Sequence, residues 1–211
     1  MLCINLFFRV KLFFFISIIF ISNCTVKYIK KDFDYRDILE KTKRIRITVD
    51  LKKSNIQKNE AKMLRKMVRN YLSHHKEFIV YPSTKYFFVP CEKKEEDTEN
   101  KTEVDGVFYL QLIEKKSEIG LNISLNGSLY KCEEKNQKKV FWEGLVENEY
   151  PIDTQSNPSL IRTYTEKYGQ KVGPKVNPYF LISKILLDKL DSPTLSPKEQ
   201  IEKIEIEAED D

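Results

Sequence analysis

Between Ile119 and Cys132 the apolar residues keep a period of two straight through the dipeptide Asn126-Gly127. Leu121, Ile123, Leu125 and Leu129 share one face only if the chain runs on as a single strand. A two-residue turn there would pair Leu125 with Ser128 and send Leu129 to the other side. The phase therefore predicts one long strand, with Gly127 marking a bend or a bulge. Val107 to Ile113 (VFYLQLI) reads as the strand before it. Val140 to Glu147 (VFWEGLVE), which holds the single Trp, reads as the strand after it, with Glu133 to Lys138 as the turn. Residues 107–149 then form an antiparallel meander of three strands.

The opening half carries two periods in succession. Arg44 to Leu51 (RIRITVDL) alternates, with Ile45, Ile47 and Val49 on one side. Ser54 to Gln57 has the spacing of a capping box, with Asn59 as a competing start, so a helix is predicted from about Ile56 to His75. Its apolar stripe is Ala61, Leu64, Met67, Val68, Tyr71 and Leu72. The opposite face carries Lys58, Lys62, Arg65, Lys66 and Arg69, either a solvated face or a patch for anionic headgroups or an acidic partner. Phe78 to Tyr81 reads as a second strand, stopped by Pro82. If the two strands are adjacent and parallel, the crossover is right-handed. Asn177 as cap and Pro178 in the first turn open a further helix, with a stripe of Tyr179, Ile182, Ser183, Leu186 and Leu190 broadened by Phe180, Ile185 and Leu187. The expected fold is α+β: a single mixed sheet of about five strands, strand–helix–strand and then the meander, packed by two helices.

Three stretches fall outside that frame. Glu92 to Asp105 has no apolar residue before Val104 and reads as a mobile surface loop. Pro151 to Lys175 reads as a long connection, of the kind that is often functional or mobile. The tail from Asp191 is acidic and is expected to be partly disordered, with Ile201, Ile204 and Ile206 able to dock briefly.

The start of the chain reads as targeting rather than fold. Arg9 and Lys11 precede the apolar run Leu12 to Ile21 (LFFFISIIFI), which is the length of a signal peptide's core and far short of the ~20 residues that cross a bilayer. Ile21-Ser22-Asn23-Cys24 resembles the bacterial lipobox, with Cys24 as the lipid acceptor; Asn23 departs from the usual Gly, Ala or Ser. An accidental cysteine after a plain signal peptide, or an uncleaved signal anchor, are the competing readings. The division expected is a signal peptide over 1–23, a lipid-anchored tether over 24–43, one α+β domain over 44–190 and the acidic tail over 191–211. Thr25 in place of an acidic residue after Cys24 points to the outer membrane. The formal net charge is +4, and Arg9 and Lys11 leave with the signal, so the remainder is nearly balanced. That argues against a nucleic-acid partner.

Chemistry is sparse. His74 and His75 are the two histidines and are adjacent, so they cannot share a metal at helical i, i+4 spacing. GxSxG, P-loop, GxGxxG and HExxH patterns are absent, and no carboxylate pair stands out as acid and base. No catalytic residue, metal or cofactor is predicted. Cys91 and Cys132 remain once Cys3 and Cys24 are assigned to the signal and the lipid. In an oxidising compartment a disulfide between them is the simple expectation, with two buried thiols as the alternative. Trp142 is either a core residue or part of a binding groove.

The tether, RIRITVDL, the Lys- and Arg-rich helix, FIVYPS, the meander ending in VFWEG, and NPYFLISKILLDKL followed by SPTLSPKEQIEKIEIE resemble a lipoprotein family of spirochaetes and myxobacteria. More distantly, the order of elements is similar to the domains of the TolB amino-terminal region, the curli-secretion lipoprotein and the periplasmic activators of peptidoglycan synthases. That likeness is topological and says little about activity. The leading expectation for the whole chain is a non-enzymatic, lipid-anchored module of the cell envelope that binds another envelope protein or a cell-wall component through the sheet edges and the 151–175 connection. The alternatives are a surface-exposed lipoprotein that binds host molecules, and an envelope hydrolase with its site in residues 151–175.

Overall fold

A computed structural model describes residues 25–82, 104–118, 120–132, 138–151 and 157–208. The expected α+β class is what the chain adopts, with six strands in one mixed sheet. The strands are β1 (Val26–Lys31), β2 (Arg44–Val49), β3 (Ile79–Tyr81), β4 (Gly106–Lys116), β5 (Leu121–Cys132) and β6 (Lys138–Tyr150). Their order across the sheet is β1-β6-β5-β4-β2-β3. β2 is parallel to both β3 and β4, and the other pairs are antiparallel. β5 runs unbroken through Gly127, as the phase requires, pairing Gly127 with Leu110 on one side and Gly144 on the other.

The helices are α1 (Tyr35–Glu40), α2 (Lys58–His75), α3 (Pro158–Tyr168), α4 (Val176–Leu187) and α5 (Pro197–Ala208). α2 and α4 pack on one face of the sheet, α2 against β2 and α4 against β5 and β6. Ile45, Ile47, Val49, Phe108, Leu110, Leu125 and Leu129 supply the sheet side of the core, and Leu64, Val68, Tyr179, Ile182 and Leu186 the helix side.

Gly127 is neither bend nor bulge. The irregularity in the β5–β6 pairing lies between Leu129 and Tyr130, two residues further on, where β6 carries Phe141 as an extra residue. Gly127 and its cross-strand partner Gly144 leave room for the Leu186 side chain. A Cβ on Gly127 would lie 2.9 Å from one Leu186 methyl, and a Cβ on Gly144 would lie 2.9 Å from the other. The glycine pair lets a helix approach the sheet at this point.

The segment expected as a tether belongs to the sheet. β1 pairs with β6, and α1 packs Tyr35, Ile38 and Leu39 into the core. The register shift between Val26 and Tyr28 puts Val26 and Ile29, three apart, against the core. The start of α2 also differs from the expected box. The Gln57 N–H donates to Glu60 Oε2 at 2.7 Å, while Ser54 Oγ accepts from the Leu112 N–H at 3.0 Å and ties the preceding loop to β4. Of the stretch 92–105, residues 92–103 lie outside the described residues. Asp105 accepts the Lys43 and Arg44 N–H groups at 3.0 and 2.8 Å and so fixes the start of β2.

The acidic tail is the largest departure. Residues 197–208 form α5, which packs on β3. Ser196 and Glu199 cap it reciprocally: the Ser196 N–H donates to Glu199 Oε2 at 2.7 Å, and the Glu199 N–H donates to Ser196 Oγ at 3.4 Å. Its acids dock it; of the three isoleucines Ile201 and Ile204 are exposed and Ile206 is half-buried. Arg44 grips Glu202 with Nε at 2.8 Å and Nη2 at 2.6 Å, a two-pronged charged pair. Lys43 Nζ donates to Glu199 at 2.9 Å.

The Lys43 hydrogen bond, helped by the Ser196 N–H, holds Glu199 down to about 2. Arg44 likewise lowers Glu202. A carboxylate depressed in the folded state stabilises it above its ordinary value and loses that contribution as pH falls through the folded value. Hydrogen-exchange protection in α5 is therefore expected to fall between about pH 4.5 and pH 2. Strands β4 to β6 should hold theirs further into acid. Simultaneous loss in α5 and β5 would show that these pairs do not anchor the helix.

Candidate functional site

The segment 157–175, expected as open connection, carries α3. Asn157 caps it by accepting the Leu160 N–H at 3.2 Å, and Pro158 takes the first helical position, where its missing N–H costs nothing. α3 lays Leu160 and Tyr164 beside α2. With Phe180 of α4 they close an open cleft of ≈ 370 Å³ whose other wall is Met67, Asn70, Tyr71, His74 and His75 of α2.

The wall residues explain what the cleft can hold. Apolar and aromatic side chains dominate, and Phe180 is 39% exposed at its mouth. The His75 ring lies against Tyr71 with centroids 4.7 Å apart. The Tyr71 hydroxyl donates to Asp188, and burial together with that carboxylate pushes Tyr71 up to about 12. His74 Nδ1 sits 2.8 Å from the Asn70 carbonyl. Both histidines are in the last turn of α2, where helix-end residues were expected. Neither is joined to a nucleophile among the described residues. The cleft has the size and lining of a site for an apolar group with one aromatic ring or more.

A second constellation lies at the other end of α2. Lys175 Nζ reaches Glu60 Oε1 at 2.5 Å and also contacts Glu114, and Tyr179 donates to Glu114 Oε2 at 2.9 Å. Glu60 is 3% exposed and Tyr179 fully buried. Burial first, then the two carboxylates, push the Tyr179 hydroxyl far above its ordinary range. Each charge here has an opposite partner, and the cluster joins α2, β4 and α4.

Trp142 is a core residue. It is completely buried against Phe108, with ring centroids 5.9 Å apart, and cannot line a binding surface. Cys132 ends β5 opposite Lys138. Cys24 and Cys91 lie outside the described residues. Within them no group of three or more His, Cys, Asp or Glu is arranged to hold a metal, and no helix is long and apolar enough to cross a membrane. Of the basic face of α2, Lys58 and Lys66 are exposed, whereas Arg69 turns in and its Nε donates to the Val80 carbonyl at 3.2 Å.

Leu160, Tyr164 and Phe180 were missed as site residues. Phe180 was legible as an aromatic outside the strict stripe of α4, but nothing in the sequence said that α3 would stand beside it. The chain matches no protein-family model, no curated protein and no solved structure.

Proposed function

We propose that the protein is a non-enzymatic binding module of the bacterial cell envelope, held to a membrane by lipid on Cys24. Its cleft between α2, α3 and α4 takes an apolar, aromatic-bearing segment of another envelope protein. The observation that carries this reading is the cleft's lining: aromatic and aliphatic walls, with polar groups that are hydrogen-bonded or stacked within the molecule rather than arranged as nucleophile and base. Aromatic-walled concavities are where binding energy concentrates in protein partners.

A photo-crosslinking residue at position 180, introduced in the native cell, tests it. An adduct with one envelope protein is expected, absent when the same residue sits at the exposed position 204 and absent when Leu160→Glu charges the wall. Adducts with host protein would move the module to the cell surface. Equal yields at 180 and 204 would remove the cleft as the binding site.

A further inference from the structure

The lipid-acceptor position and the sheet are almost contiguous. The Thr25 carbonyl already accepts the Glu147 N–H at 2.8 Å, and β1 begins at Val26. Consecutive Cα atoms are about 3.8 Å apart, so Cys24 has no spacer behind which the domain could swing away. The register places Thr25 level with Glu147, Ser124 and Ile113, and the chain leads from there towards the end of the sheet formed by Lys116, Leu121 and Tyr150.

That end is basic. Lys115 and Lys116 finish β4, and Lys52 and Lys53 follow β2 in a loop bound to β4 through Asn55, whose Nδ2 donates to the Glu114 carbonyl at 2.6 Å. Lys58 opens α2, and Lys171 lies just past α3, whose last residue, Tyr168, accepts from Asn59 Nδ2 at 3.3 Å. All six are exposed. Among the described residues several carboxylates at this end are already engaged: Asp50 accepts the Lys52 and Lys53 N–H groups and the Tyr109 hydroxyl, Glu60 and Glu114 are taken up by Lys175, and Glu147 lies 3.4 Å from Lys27, while Glu118 and Glu149 are exposed. The acidic helix α5 sits at the opposite end, on the lysine and arginine that begin β2.

We infer that this lysine rim docks the domain directly on an anionic bilayer surface, fixing its orientation as well as its attachment. Lysines held at a membrane surface are drawn to anionic headgroups within a Debye length. The short link brings this end of the sheet to the surface, because β1 enters the sheet from the same end at which β4 finishes. The binding cleft then faces away. α2 begins at the rim and carries the cleft on its far half, with its eighteen residues spanning about 27 Å. The inference rests on the anchoring of Cys24 proposed above.

The test uses protein purified from its native membrane and placed in vesicles of phosphatidylglycerol and phosphatidylcholine. A fluorescent side chain at position 116 or 204 is read against headgroup spin-labelled lipid, and intact mass is measured on the same samples. Strong quenching at 116 and little at 204 is expected. The contrast should disappear in pure phosphatidylcholine, and also in a charge-reversed rim (Lys53→Glu, Lys115→Glu, Lys171→Glu) that keeps the fluorescent side chain at 116 and whose mass still shows acyl chains. An acylated protein with equal quenching at the two positions, or with quenching indifferent to lipid charge, overturns the docking and leaves the anchor standing. A chain without acyl mass overturns both.

Discussion

Exchanging Lys175 for methionine is expected to destabilise the fold by about 3–5 kcal/mol, the cost of leaving a buried charge without its partner. Lys175 bridges Glu60 and Glu114, and Glu60 is almost wholly withdrawn from water. Methionine fills much the same volume but offers no charge. Urea denaturation measures the loss, and adding Glu60→Gln to Lys175→Met should return part of it, because the orphaned carboxylate is then neutral. A loss below about 1 kcal/mol would mean that the pair behaves as an exposed one. Burial alone would lower the Lys175 pKa, but its hydrogen bonds to Glu114 and Glu60 outweigh burial and raise it. A raised lysine stabilises the folded state fully below its ordinary pKa and loses that contribution as pH climbs through the folded value. The wild type should therefore weaken in strong alkali along a limb that Lys175→Met lacks.

Leu186→Ala is expected to cost about 2–5 kcal/mol, as for other buried leucines whose site cannot collapse. The reason is specific. The two Leu186 methyls stand over Gly127 and Gly144, which have no side chains to move into the space. Gly144→Val attacks the same contact from the other side and is expected to cost about 1–3 kcal/mol through overpacking. Its Cβ would meet Ile29 at 2.8 Å, Leu186 at 2.9 Å and Trp142 at 3.0 Å. The double variant should be more stable than the sum of the two losses predicts, since valine occupies room that alanine vacates. Strict additivity in thermal or urea melts would show that Leu186 and the glycines do not share a contact.

How far the fold was readable depends on where one period ran long enough to outvote its exceptions. β5 was readable because its phase survived Asn126-Gly127. β2, α2 and the meander were readable for the same reason. β1 was not: the register shift after Val26 breaks its alternation, and four polar or charged positions in VKYIKK suit an edge. Two Asn-Pro pairs show the limits of capping rules. Asn157-Pro158 starts α3 inside the stretch that reads as a long connection. Asn177-Pro178 reads as a start but lies buried inside the first turn of α4, which begins at Val176. Ser196-Pro197-Lys198-Glu199 carried a full capping signature that the acidity of the tail obscured. The partners of those acids, Lys43 and Arg44, are 156 and 158 positions earlier, and no local rule joins them. The cleft was illegible for a similar reason, because its walls come from three helices whose contacts are set by the sheet beneath.

The place of β1 in the strand order also sets when the molecule can be completed. Tyr28 hydrogen-bonds to Glu143, 115 positions away, at 2.8 Å. Among the described residues the earliest strand thus pairs with the last strand alone. Contacts of such long range come late, because a large loop must close before they repay its entropy. The meander can form by itself from hairpins, but the chain's first strand waits, solvated, until β6 exists. A ribosome or a secretion channel feeding the chain from its beginning would therefore release a nearly whole domain whose leading edge is the last part to zip shut.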